Sequence, residues 1–346
     1  MYYQEVIMSK LAIAEDKQHF IRDGQPFFWV GDTLWSAFTN PTLEEWAEYL
    51  KKRKSQGFNV IQINTLPQWD RILPDQGIYP YPMDEKGAMD YTAELNMEYV
   101  DRSRKICRMA VDEGFTLALV VVWGNLVPGT WMGNFLPQSW PLSYVEQHVR
   151  NVVRFYDEFD PVYIVSGDTD LISDAVIEYY QRTIDILKEE APDSLRTMHL
   201  CGGFTGLTQE LADGLDFLVY QSGHEPKTAN RVEELTAEMK TKFPGKPVLN
   251  AEPCYELMGK MTGDFTKGPS EVWSMEEVLD ACERSIRSGA NAGITYGANG
   301  LWNWNRNEDP SKAEISPFYG NVAFWRDALN APGADHIAEL EKYSGI

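Results

Sequence analysis

Residues 116–168 read TLALVVVWGNLVPGTWMGNFLPQSWPLSYVEQHVRNVVRFYDEFDPVYIVSGD. The stretch opens on an apolar, β-branched run (116–123) and closes on another (162–168). An amphipathic segment from about Leu142 to Glu158 lies between them. Strand, helix and strand in that order describe a βαβ unit, which needs a parallel sheet.

The same unit recurs in both directions. Upstream, HFIRDGQPFFWVG carries the turn signal Asp23-Gly24 between two apolar arms, which predicts an N-terminal hairpin at about 18–31. Its second arm, Phe27 to Gly31, is read as the first strand. Thr42 caps a helix that ends at Gly57, with Trp46, Tyr49 and Leu50 on one face. FNVIQIN (58–64) is the second strand, and Glu94 to Glu113 the next helix. Downstream, further strands are predicted at 196–200, 216–223, 247–252 and 292–297. Helices are predicted at 174–190, 207–213, 229–242, 275–288 and 318–329. Eight strands alternating with helices predict an α/β (β/α)₈ TIM barrel, one domain over 1–346 with no C-terminal β-sandwich. No glycine-rich dinucleotide fingerprint follows the first strand, which argues against a Rossmann domain.

Composition narrows the function. The 52 acidic residues outweigh 31 basic ones, for a net charge of −21. Such a chain is repelled by phosphate backbones and anionic lipid, so neither nucleic acid nor a membrane is an expected partner. The four cysteines, Cys107, Cys201, Cys254 and Cys282, lack disulfide or zinc spacing and read as free thiols. The opening residues carry no signal-peptide pattern, so a cytoplasmic location is expected.

Long connections at 65–93, 124–140 and 253–273 follow the second, third and seventh strands. Barrels build active sites on that face. These loops hold Trp69, Trp131 and Trp140, read as exposed. Asp168 ends the fourth strand and Glu252 the seventh, across the barrel mouth from each other. Two facing carboxylates suit glycoside cleavage, one as acid/base and one as nucleophile. Either acid alone could instead cap a helix or pair with an arginine, and Asp170 and Glu256 are the nearest alternatives. Mutual repulsion should raise the pKa of Asp168 in the free enzyme.

Aromatic residues recur at strand ends: Trp35, Trp69, Trp123, Tyr220, Tyr255, Tyr296, Trp302 and Trp304. Sugars stack their C–H faces on such rings, and Trp35 and Trp123 are the leading platforms, although core filling explains others. Asp32, Gln62, Asn64, Asn125, His199, Gln221 and His224 supply polar groups for sugar hydroxyls. The five histidines form no H-x-H or H-E-x-x-H pair, and no lysine ends a strand. A catalytic metal, a Schiff-base lysine and any cofactor are therefore not expected.

FIRDGQPFFWVGDTLWSAFTNPTLEEWAEYLKKRKSQGFNVIQIN (20–64), YIVSGDTD, VLNAEPCYE and GITYGANGLWNW resemble glycoside hydrolase family 140, the apiosidase-like barrels, over nearly the whole chain. The resemblance implies a (β/α)₈ barrel and retaining hydrolysis of terminal apiose from plant glycosides. It implies Asp168 as acid/base, Glu252 as nucleophile, and Asp32 and Trp35 in the sugar pocket. Many relatives are exported and carry a C-terminal β-sandwich, so a small imported glycoside is the expected substrate here. Larger relatives of the clan have Asn-Glu where this chain has Gly167-Asp168. The alternatives are a glycosidase for another pentofuranoside or a rhamnoside, and a sugar-binding barrel without catalysis.

Overall fold

The computed structural model describes residues 10–69, 75–83, 89–135, 139–262, 268–309, 315–316 and 318–346. Eight parallel strands form the central sheet. They are β1 (Trp29–Thr33), β2 (Val60–Asn64), β3 (Thr116–Trp123), β4 (Val162–Gly167), β5 (Arg196–Thr197), β6 (Leu218–Gln221), β7 (Val248–Glu252) and β8 (Gly293–Tyr296). Their order is β5-β4-β3-β2-β1-β8-β7-β6. Two backbone bonds span the remaining seam, Asp216 N to Arg196 O at 2.9 Å and Gly203 N to Gln221 O at 2.8 Å. The sheet therefore curls into the expected TIM barrel.

Helices cover the outside, so both faces of each strand are buried. Every residue of β3 is buried, which is why its sequence is a continuous apolar run. The helix α1 (Leu43–Ser55) starts on a capping box between Thr42 and Glu45 and buries Trp46, Tyr49, Leu50 and Arg53. The next helices are α2 (Met97–Asp112), α3 (Leu142–Tyr156) and α4 (Asp174–Glu190). Val145, His148, Val149, Val152 and Tyr156 make the buried stripe of α3 at helical spacing. After these come α5 (Gln209–Asp213), α6 (Val232–Lys242), α7 (Met275–Arg287) and α8 (Trp325–Leu329). No helix among the described residues is long and apolar enough to cross a membrane.

Four expectations are corrected. The second arm of the hairpin and the first barrel strand are separate elements. Gln25–Phe27 pairs back on Phe20–Arg22, which also pairs with Ala12–Ile13, and β1 begins only at Trp29. Asp23 and Gly24, at φ 52° and 72°, make the tight turn. The sixth helix is broken, with Pro226–Ala229 forming one separate α-helical turn before α6. The fifth strand is short, although Leu200 still bridges to Thr169 beside β4. The last helix starts at Trp325, because Ile315–Ser316 and Gly320–Asn321 pair as a small hairpin. Asn299 donates to the carbonyls of Tyr319 and Asn321 there, occupying acceptors that a helix would use.

Candidate active site

The carboxyl end of β4 is shaped by a glycine and an unusual aspartate. A Cβ on Gly167 would sit 2.2 Å from the Trp123 indole, so only glycine lets that ring lie flat on the strand end. Asp168 follows at φ 46°, a left-handed conformation that aspartate tolerates better than most residues. Its carboxylate accepts a 2.7 Å hydrogen bond from Gln221 Nε2 on β6. Its backbone carbonyl accepts one from the Trp131 indole at 2.9 Å, and Asp170 accepts from the Trp131 amide at 3.0 Å.

Glu252 is placed by a break in β7. The register with β6 shifts between Asn250 and Glu252, and such a bulge re-aims the side chain that follows it. Asn250 Oδ1 accepts from the amides of Glu252 and Ser222, which holds the irregular backbone. The Glu252 carboxylate accepts from His224 Nε2 at 2.9 Å. The Tyr255 amide donates to His224 Nδ1 at 3.4 Å, so the imidazole carries its proton on Nε2, facing Glu252.

His199 lies fully buried between the two acids. Its Nδ1 is 3.6 Å from Asp168 Oδ1, and its Nε2 is 3.5 Å from Glu252 Oε2. Burial holds its pKa below the ordinary histidine value, against the pull of Glu252. Burial also pushes the Glu252 carboxyl up, but the hydrogen bond from His224 and the neighbouring imidazoles outweigh it. The net shift is below the usual carboxylate range. Asp168, His199 and Glu252 each offer a ligand atom within 4.8 Å of the others, so the three could also reach one metal ion.

Several expected residues gather around this centre. Trp35 meets Trp123 edge-on at 5.0 Å and His199 at 5.7 Å. Gln62 donates to the Ala251 carbonyl at 3.0 Å and lies 3.4 Å from Thr33 Oγ1. The Tyr255 ring meets His224 edge-on at 4.5 Å and packs on Gly297, and its hydroxyl is buried without a hydrogen-bond partner. Trp302 follows β8, where its carbonyl accepts from the Ser36 amide next to Trp35 at 3.2 Å and its ring meets Tyr319 edge-on at 5.4 Å. Trp123 Nε1, Trp302 Nε1 and Gln62 Oε1 are buried polar atoms with no hydrogen-bond partner. Such groups are costly unless a ligand or water satisfies them. Asn64 is buried at its strand end and donates to Gln68 at 2.9 Å, and Asn125 is buried in the turn after β3.

Other expectations are not met. Asp32 is turned outward, fully buried, with Arg53 Nε at 2.5 Å, the Tyr49 hydroxyl at 2.9 Å and the Thr33 amide at 3.0 Å. Tyr296 is its register partner on β8 and shares that outer face, donating to Glu256 at 2.6 Å. Both point to the helix layer, away from Asp168 and Glu252, because side chains alternate along a strand. Tyr220 bonds Thr236, and Trp304 stacks on Trp325, so both fill the layer between sheet and helices. Trp140 is buried rather than exposed, Trp69 is half-buried and Trp131 is exposed. The sequence reading missed Thr33, Gly167 and Asn250. A glycine before a strand-end aspartate, and an asparagine two before a strand-end glutamate, are the signals that point to the last two.

The pattern that describes apiosidase-like catalytic domains matches residues 14–344. Among solved structures, a glycoside hydrolase aligns with a TM-score of 0.77 and 22% identity, covering 96% of this chain and 74% of its own. A glycoside hydrolase family 5 protein from Bacteroides vulgatus gives 0.76 and 22%, covering 96% and 71%. A family 5 mannosidase from Rhizomucor miehei gives 0.64 and 12%, covering 97% and 98%. These likenesses speak for the fold. No curated protein matches the sequence. With a match over nearly its whole length, the chain belongs to the family of apiosidase-like catalytic domains and is a glycoside hydrolase.

Proposed function

We propose that this protein is an exo-acting, retaining glycosidase of the family 140 type, and that it removes terminal β-D-apiose from small plant-derived glycosides. The observation that carries the reading is the pairing of Asp168 and Glu252, whose facing atoms lie within 4.8 Å. Retaining enzymes hold their carboxyl groups about 5–5.5 Å apart, whereas inverting enzymes need about 6.5–9.5 Å for a water. Glu252, the acid with the depressed pKa, is the nucleophile. It attacks the anomeric carbon as the bond to the aglycone oxygen breaks, and Asp168 gives that oxygen a proton. Water then attacks the glycosyl-enzyme ester, Asp168 takes the water's proton, and Glu252 leaves as carboxylate. Gln221 orients Asp168, and His224 holds Glu252 ionised.

Trp35, Gln62, Asn64, Trp123, His199, Tyr255 and Trp302 make up the sugar pocket in this reading. The unpaired groups on Gln62, Trp123 and Trp302 support it, because sugar hydroxyls could satisfy them. The chain acts as one barrel domain and needs no cofactor. A cytoplasmic location fits its four unpaired cysteines. Aryl glycosides that include the β-D-apiofuranoside test the substrate, with Glu252→Ala as the control. Cleavage of the apioside by wild type but not by the variant is expected. Cleavage of another pentofuranoside or a rhamnoside alone would replace the sugar and keep the mechanism. Sugar binding without any cleavage would sink the enzymatic mechanism.

A further inference from the structure

Among the described residues four large hydrophobic side chains are exposed: Met97, Trp131, Ile172 and Val272. Two of them flank Asp168. Ile172 follows it by four positions and is 60% exposed, and Trp131 is 38% exposed. The segments that carry them touch. A Cβ on Gly129 would lie 3.4 Å from Val176 and 3.8 Å from Ser173, and the Trp131 amide bonds Asp170.

Trp131 is also held in one orientation. Its indole N–H donates to the Asp168 carbonyl, so the ring edge is engaged beside the acid while much of the side chain stays open to solvent. An indole whose one donor is already used has only its face to offer, and a ring face recognises flat apolar groups. In the double displacement proposed above, the group that protonates the leaving oxygen stands beside the leaving group. Whatever lies next to Asp168 on the outer rim therefore meets the aglycone rather than the sugar.

We infer that Trp131 forms an aglycone platform that favours substrates whose leaving group presents a flat, apolar face over those with a small alkyl leaving group. The inference rests on the glycosidase reading of Asp168, but not on which sugar is cleaved.

The test compares kcat/KM for an aryl and a methyl glycoside of whichever sugar the wild type accepts. The comparison is repeated in Trp131→Ala and Trp131→Phe. The ratio of aryl to methyl is expected to fall at least roughly tenfold in Trp131→Ala, the loss of one well-packed aromatic contact. Trp131→Phe keeps a ring but loses the N–H bond, so it should retain most of the ratio. Thermal melting checks that both variants fold. Equal losses on both substrates in Trp131→Ala would make Trp131 a support for the Asp168 backbone only, and would overturn the inference. An unchanged ratio would overturn it too, while leaving the glycosidase reading intact. Failure of the wild type to cleave any glycoside would remove that reading and the inference with it.

Discussion

At the residue scale, the site depends on what sets the charge of each group. Glu252 is buried, and burial alone would favour its neutral acid. The proton on His224 Nε2 reverses that preference by bonding the carboxylate at 2.9 Å. A nucleophile with a depressed pKa stays ionised as pH falls through the ordinary carboxylate range, so activity is lost only below it. His224→Ala removes the hydrogen bond and leaves the desolvation in place. The acidic limb of the kcat/KM profile should then move to higher pH, and an unmoved limb would show that His224 does not control Glu252. The sequence placed Asp168 and Glu252 at facing strand ends, but it carried no sign of this reversal. Charge repulsion between the two acids was the only influence it exposed. The two imidazoles act on Glu252 through contacts across separate strands.

At the element scale, the junction of β1, α1 and β8 shows where strand-end reasoning stops. Asp32 and Trp35 both sit in GDTLW, at the mouth end of β1, yet they serve different layers. Thr33 points inward toward Gln62, so Asp32 must point outward to α1. There Arg53 bonds Asp32, Gln56 and the Leu329 carbonyl at the end of α8, tying three elements together. The capping box, the apolar stripe of α1 and its glycine stop were legible because they are local patterns. The parity of a short strand was not, since a fully buried strand shows no polar alternation. The functional consequence is testable. Arg53→Met strands a buried carboxylate, which costs about 3–5 kcal/mol. Urea unfolding should register that loss, while KM for a glycoside stays within about twofold of wild type, as for a site away from the substrate. A large rise in KM with unchanged stability would return Asp32 to the sugar pocket.

At the scale of the whole molecule, the repeated strand and helix order was enough to identify the barrel, because each βαβ unit leaves a periodic trace. The small hairpin at Ile315–Ser316 and Gly320–Asn321 left none, being held by carbonyl contacts to Asn299 rather than by an apolar pattern. The charge of −21 is a further property of the whole chain, and it bears on substrate choice. Asp170 and Glu252 add their negative charge at the mouth, where the field meets an incoming ligand. A neutral glycoside feels no net force from this field. A glycoside whose aglycone bears a carboxylate is repelled over about 30 Å at 0.01 M salt and only about 8 Å at 0.15 M. Raising ionic strength over that range should therefore increase kcat/KM for the anionic glycoside by roughly threefold or more. The neutral parent should change little. A decrease for the anionic substrate would reveal a cationic patch at the mouth strong enough to override the net charge, and an acidic saccharide would then become the better substrate class to test.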